Sequence, residues 1–371
     1  MQKVQFLTDV EFQVSDMYGD PIHWALLGIT PELSKVVETC ARVCYRSEGK
    51  IKEGSSDSLF AKLSRSGHYS TFEHSNIVIA IKDSNQYVAD QILEIISFYP
   101  LITVVPFYDG GMYILRCNAR TIVEMFEDNM FNTWTGCHLM NNPILLVMLG
   151  LRKFLPVKMF DKFTIKFKDF YVNESWEVIE QKDKEYINDV PNVQVVHIDD
   201  FPWQNSLDKV LAEKLSVATL IVDMNRQISH QFVRHRMSSY SQESQRYVDL
   251  SNRFDYMVSD KEISSKVFDV YPDFICGCMS KIQMSYNDMM RLESIFYRSI
   301  REAGFKPEVA RGVLPNDCKT RIAVTRTIEQ WRHYFGLRIE SHAQSLHREL
   351  AKNMLEAIQK NSYWLVDLKG E

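Results

Sequence analysis

Between Pro31 and Tyr45 the apolar residues Leu33, Val36, Val37 and Cys40 recur at intervals that line one face of a helix, and Pro31 suits its first turn. Residues 58–66 predict a second, shorter helix ending near Gly67. Asn76–Ile81 is rich in β-branched residues and of strand length. From about residue 84 to 210 the pattern changes: aromatics crowd together (Phe98, Tyr99, Phe107, Tyr108, Trp134, Phe154, Phe160) among mixed short elements. A helix is expected from about Ser206 to Leu215, and Val217–Val222 resumes a strand pattern. Residues 226–236 predict a helix, followed by the polar stretch Ser238–Ser244. The clearest helical period runs over 279–304, where Ile282, Tyr286, Met289, Leu292, Phe296 and Ile300 repeat before Gly304 stops the run. A short helix with Val309 and Val313 ends at Pro315, residues 319–326 alternate as a strand, and helices are expected over 328–336 and 340–361. The sum is an α+β protein with long helices packed on a modest sheet.

Composition narrows the class. The 371 residues carry 43 Lys+Arg against 48 Asp+Glu, a net charge of −5, with 45% hydrophobic residues. That is a globular composition, and its mild acidity argues against a protein that coats nucleic acid. The longest apolar run, Ile144–Leu151, is far shorter than the roughly 20 residues a membrane span needs. The first residues show no signal-peptide pattern, so a cytoplasmic protein is expected. Seven cysteines, an odd number thinly spread, fit free thiols in a reducing compartment. Cys276-Gly-Cys278 lacks the spacing of a zinc or redox pair, so no metal is expected.

Cationic chemistry is concentrated in one segment. Arg234-His235-Arg236 and Arg246 enclose Ser238, Ser239, Tyr240, Ser241, Gln242 and Ser244, with Glu243 the only acid from 234 to 246. Guanidiniums, an imidazole and hydroxyls at a helix-to-loop junction suit a bound phosphate, because arginine donates in a planar, two-pronged geometry. A solvated basic loop is the plainer alternative. On the expected helix, Gln231 and His235 share one face, and His230 and Arg234 the next.

The spacing Arg-His-Arg, seven residues, then Ser resembles the signature of flavin-dependent thymidylate synthases, and Gln245-Arg246-Tyr247 continues the likeness. Ala41-Arg-Val-Cys-Tyr-Arg-Ser47 resembles that family's N-terminal helix motif, and Gly67-His-Tyr-Ser-Thr-Phe-Glu-His74 its histidine loop. Glu308-Val-Ala-Arg-Gly-Val-Leu-Pro315 and Leu337-Arg-Ile-Glu-Ser-His-Ala-Gln344 are similar to its two C-terminal motifs. The resemblance implies a flavin-dependent thymidylate synthase-like fold divided into residues 1–82, an inserted mixed α/β subdomain at 83–214, and residues 215–371.

The resemblance also implies an activity: conversion of dUMP to dTMP with methylenetetrahydrofolate as one-carbon donor and NADPH-reduced FAD as hydride source, without a cysteine nucleophile. It implies a homotetramer with shared active sites. By position in the motifs, Gln231, Arg234, Gln242, Glu243, Ser244, Arg246 and Arg311 are the expected dUMP contacts. Arg338 is the expected catalytic group, stabilising negative charge on the uracil. The expected FAD contacts are His68, Ser70, Arg234, His235, Arg236, Gln242, His333 and His342. Where the family commonly has Asn-x-Arg, this chain has Thr327-Ile-Glu329, which puts some flavin contacts in doubt. Asn118 and Arg120, at the start of a helix-like run, are candidates to replace them. Two alternatives stay open: a relative making another 5-substituted dUMP, and a nonenzymatic nucleotide-binding protein.

Overall fold

The computed structural model describes residues 14–15, 21–82, 87–107, 112–131, 151, 155–160, 184–200, 208–271 and 281–362. Two antiparallel sheets organise them. The first has the order β1-β2-β3-β5-β4, from Val14–Ser15 (β1), Pro21–Ile29 (β2), Ile77–Lys82 (β3), Thr103–Phe107 (β4) and Met112–Cys117 (β5). The second has the order β6-β7-β11-β8, from Val193–Ile198 (β6), Val217–Asn225 (β7), Ser239–Gln242 (β8) and Lys319–Thr327 (β11). A separate ribbon pairs Val267–Val270 (β9) with Ile282–Ser285 (β10). Strands from the 83–214 span enter both sheets: β5 pairs with β3, and β6 with β7.

The helices are α1 (Leu33–Val43), α2 (Ser55–Arg65), α3 (Tyr87–Phe98), α4 (Ala119–Phe131), α5 (Lys209–Leu215), α6 (Arg226–Phe232), α7 (Lys261–Ser264), α8 (Tyr286–Glu302), α9 (Pro307–Ala310), α10 (Ile328–Arg338) and α11 (Ser345–Asn361). The mixed α+β class is thus observed. Helix α1 buries Leu33, Val36, Val37 and Cys40, the apolar face its spacing predicts. Gly67, at φ +69°, turns the chain after α2. Strands β7 and β11 pair residue for residue from Asn225↔Lys319 to Val217↔Thr327. Over them pack Phe232, Trp331, Tyr334, Phe335, Leu350 and Met354 from α6, α10 and α11. At about 25 cal/mol per Å² of apolar area, side chains of this size supply most of the force holding helices to sheet.

A buried polar junction ties the sheets together. Asn76 Nδ2, just before β3, donates to Asp199 Oδ2 at 2.7 Å and to the Leu215 carbonyl at 2.9 Å. The same carboxylate oxygen accepts the Val217 backbone N–H at 2.8 Å. Nearby, His74 bridges Thr325 (2.8 Å) on β11 and Ser241 (2.9 Å) on β8.

Three expectations from the sequence need correction. The helix expected over 226–236 ends at Phe232, so Gln231 and His235 do not share a helical face. The polar stretch 238–244 contains strand β8, paired with β11 at Ile322↔Gln242 through Thr325↔Ser239. Its small polar residues carry no apolar alternation, and only the partner strand reveals it. The helix expected over 279–304 begins at Tyr286, after β10, because Ser285 and Asp288 form a capping box there. Cys276 and Cys278 lie outside the described residues.

Candidate active site

The site is built where β7, β8 and β11 hand over to α6 and α10. Asn225 caps α6, its side chain accepting from the Ile228 N–H at 2.9 Å. The chain then leaves the helix in a tight turn. Tyr240 Oη lies 2.9 Å from the Phe232 carbonyl and 2.8 Å from the His235 carbonyl, so its hydroxyl closes that turn. Met237 sits at φ +64°, a left-handed conformation that a side chain with a Cβ resists. Beyond β8, the Ser244 N–H donates to the Cys44 carbonyl at 2.9 Å and docks the segment on the end of α1.

Two residues 103 positions apart meet here. Arg338 Nε, in the last turn of α10, donates to His235 Nε2 at 2.9 Å. An imidazole nitrogen that accepts a hydrogen bond must carry no proton, so His235 is neutral with its proton on Nδ1. Burial, then the positive charges of Arg326 and Arg338, lower its pKa to about 4. The imidazole is half-buried and meets the Tyr334 ring edge to face at 5.0 Å. Neither terminal nitrogen of Arg338 makes a hydrogen bond among the described residues, so a fixed cation keeps its outer donors for a ligand.

The other expected residues divide into two groups. Arg234, Arg236, Arg246 and Arg311 are exposed, with no hydrogen bond or ion pair among the described residues. Arg246 lies 5.3 Å over the ring of its neighbour Tyr247. Arg311 is close enough to Arg226 for their repulsion, after burial, to lower the Arg226 pKa. Arg226 is a half-buried cation at the start of α6 that sequence reading missed. His68, Ser70, His333 and His342 are exposed as well.

The amides and the acid, by contrast, are engaged within the chain. Gln231 Nε2 donates to Gln344 Oε1 at 2.8 Å, and Gln242 Nε2 to Ser229 Oγ at 3.0 Å. Glu243 is 1% exposed, and its Oε2 accepts from Arg46 Nε at 2.7 Å. Its carboxylate therefore holds the segment to α1's end and is shielded from solvent. Arg46 keeps the pair despite a left-handed φ of +45°.

The departure at Thr327–Glu329 has a local role. Thr327 is the N-cap of α10 in a capping box with Gln330, and exposed Glu329 lies 3.9 Å from Lys214. The candidate replacements are also occupied. Asn118 Oδ1 accepts from the Thr121 N–H at 3.1 Å at the start of α4, and Arg120 is ion-paired with Glu73 and Glu124. Their observed roles are helix capping and charge pairing.

The four described cysteines are free. Burial raises the thiol pKa at Cys40, at Cys44, at Cys117 (about 12) and at Cys318 (about 12). None is poised as a thiolate. No helix among the described residues is long and apolar enough to cross a membrane.

The family described as thymidylate synthase complementing protein matches residues 25–95 and 208–362, together more than half of the chain. A flavin-dependent thymidylate synthase of Geobacter sulfurreducens is 34% identical over 163 residues, covering 41% of this chain and 63% of that protein. Proteins of the same name from Pyrococcus furiosus (37% identical; 37% of this chain, 51% of that one) and Thermococcus kodakarensis (32%; 41% and 57%) are similar too. The chain thus spans between about half and just under two thirds of these relatives' length. The second matched segment carries the elements that bring His235 and Arg338 together, and the chain belongs to the thymidylate synthase complementing protein family.

Proposed function

We propose that this protein is a flavin-dependent thymidylate synthase that reductively methylates dUMP to dTMP, with methylenetetrahydrofolate as one-carbon donor, FAD as cofactor and NADPH as reductant. The observation that carries the reading is Arg338: its Nε is fixed by neutral His235, while its outer nitrogens have no acceptor among the described residues. Activating uracil at C5 develops negative charge on the N3/O2 edge of the ring. A guanidinium held in place before the reaction stabilises that charge without reorganising.

The residues present fit the nucleotides. Exposed Arg234, Arg236, Arg246 and Arg311 lack anionic partners among the described residues, the condition of groups that neutralise phosphates. Arg246, Arg311 and Ser244 would hold the dUMP phosphate, with Gln231, Gln242 and Arg234 beside it. FAD would be held by His68, Ser70, Arg234, His235, Arg236, Gln242, His333 and His342. Bound FAD, once reduced, supplies the hydride that completes the methyl group. The raised thiol pKa values support activation of uracil without a cysteine nucleophile, and free thiols fit a reducing compartment.

Several of these cations find no counterpart within one chain, which supports active sites shared between subunits of a homotetramer. The apolar stripe of α8 points the same way. Met289 (39% exposed), Leu292 (37%) and Phe296 (60%) repeat at helical spacing but lie outside this chain's core. The test is anaerobic incubation with C5-tritiated dUMP, methylenetetrahydrofolate and NADPH. Tritium release with a product of dTMP mass supports the reading. Release with another mass favours a different 5-substituted dUMP, and binding of dUMP without release favours a nonenzymatic protein.

A further inference from the structure

Arg326, on β11, plays no part in the function proposed above, yet its surroundings are unusual for a charge. It is 2% exposed, and burial lowers its pKa. No carboxylate neutralises it among the described residues. Four rings enclose the guanidinium: its carbon lies 4.4 Å from the Tyr334 centroid, 4.5 Å from Phe232, 4.8 Å from Trp331 and 5.7 Å from Tyr240. Nη2 donates to Tyr240 Oη at 2.7 Å, while Nε and Nη1 have no hydrogen-bond partner. Taking an unpaired charge out of water costs several kcal/mol. Cation–π contacts return part of this, about 2 kcal/mol each at best. An apolar side chain would fill the same cage without that penalty, so the retained charge points to a use.

The cage adjoins His235 on two sides. Tyr334, under the Arg326 guanidinium, presents its ring to the imidazole, and Tyr240, which accepts from Arg326, lies within hydrogen-bond reach of the His235 carbonyl. We propose that Arg326 is a positioning residue whose buried, unneutralised charge keeps His235 neutral, so that His235 Nε2 remains an acceptor for Arg338. The proposal rests on the assignment of Arg338 to the reacting base. A protonated His235 would turn an N–H toward the Arg338 N–H, and the bond that fixes the guanidinium would be lost.

The groups that face His235 all act in one direction. From β11 comes Arg326, and from α10 come Arg338 and His333; His347 of α11 is electrostatically coupled to it. Tyr240 of β8 meets its backbone, and Arg234 and Arg236 flank it in the chain. These groups are cationic or neutral, and no acid stands among those that shift it. His333 is exposed and Arg338 is the partner being held, so that beside burial, the largest cause of the shift, Arg326 is the buried permanent charge acting on His235.

The test is a titration of 13C-labelled histidine by NMR in the full chain and in Arg326→Met, alongside the pH profile of tritium release. In the native protein His235 should stay neutral, protonated on Nδ1, to below about pH 5. In Arg326→Met its titration should move up from about 4 while staying below the ordinary value of about 6.5, because burial remains, and turnover should begin to fall at a higher pH than in the native protein. Adding His235→Gln, whose amide oxygen accepts at any pH, should flatten the profile of the variant again. A purely structural role would lower activity by the same factor at every pH and would overturn the proposal. So would native His235 titrating near about 6.5, a measurement that needs no variant to fold. The titration is read without substrate, so a chain that shifts as expected but makes no dTMP refutes the function proposed above and leaves this inference standing.

Discussion

Arg338 Nε and His235 Nε2 lie 2.9 Å apart, joining the end of α10 to the turn after α6. The bond uses one nitrogen of the guanidinium and leaves the other two for a substrate. Replacing Arg338 with Ala should therefore cut turnover by about 10²- to 10³-fold, the usual loss for one donor to a developing charge. Flavin content, read by absorbance, should change little. Normal turnover of dUMP by that variant would refute the catalytic assignment.

Arg246 and Arg311 are exposed cations without anionic partners among the described residues. Charge-assisted bonds of the kind proposed are worth roughly 1.5–3 kcal/mol. Arg246→Ala and Arg311→Ala should thus each raise the KM for dUMP by about 10- to 100-fold. The effect on kcat at saturation should be smaller, and a fall in kcat with KM unchanged would contradict a binding role.

If the active site is shared between subunits, two damaged chains should complement one another. Mixing Arg338→Ala with Arg311→Ala chains after reversible dissociation should give, at low dUMP, more activity than either variant shows alone. Leu292→Glu and Phe296→Glu, in the exposed stripe of α8, should yield smaller species by light scattering with the fold retained by circular dichroism. Recovery absent from a demonstrably mixed assembly would place each site within one chain.

Buried histidines should make stability fall in acid. Burial lowers His74 to about 3; burial and then the charge of Arg338 lower His347 to about 3. Below about pH 6.5 the unfolded chain takes up protons that the folded chain refuses, so stability is full above that pH and is lost as pH falls toward 3. Each histidine adds up to about 1.4 kcal/mol per pH unit within that window. Urea denaturation at pH 7 and pH 5 measures the loss, and His74→Gln should make the dependence shallower.

Glu243, fully buried, and Arg46, whose side chain is 23% exposed, form a pair that anchors the site segment. Removing one partner strands the other charge, so Arg46→Ala should cost about 3–5 kcal/mol. The loss is read as a lowered denaturation midpoint, and an unchanged midpoint would show that the pair is not needed for folding.

Elements were legible along the chain wherever one face is buried by its own neighbours. Leu33, Val36, Val37 and Cys40 are inside, as their spacing requires, and strand β11, expected from its sequence, is buried along most of its length between two partners. The stripe Met289–Leu292–Phe296 shows the limit of that logic: the same periodicity lies on the outside of this chain. Periodicity records that a face is apolar, not what covers it. Strand β8 was hidden for a related reason, since Ser239, Tyr240, Ser241 and Gln242 form a strand only because β11 offers them hydrogen bonds.

What the residue order determined by itself was the set of motifs: Arg-His-Arg before Ser244, Gly67–His74, Arg311 before Pro315, and Leu337-Arg338. Those are local patterns, legible wherever they sit. Tertiary structure alone decided that Arg338 is held by His235, that Glu243 is sealed away with Arg46, and that Arg326 carries a charge among four rings. Those facts depend on the desolvation and distance created when β7, β11, α6 and α10 pack together, and neither quantity exists along an extended chain.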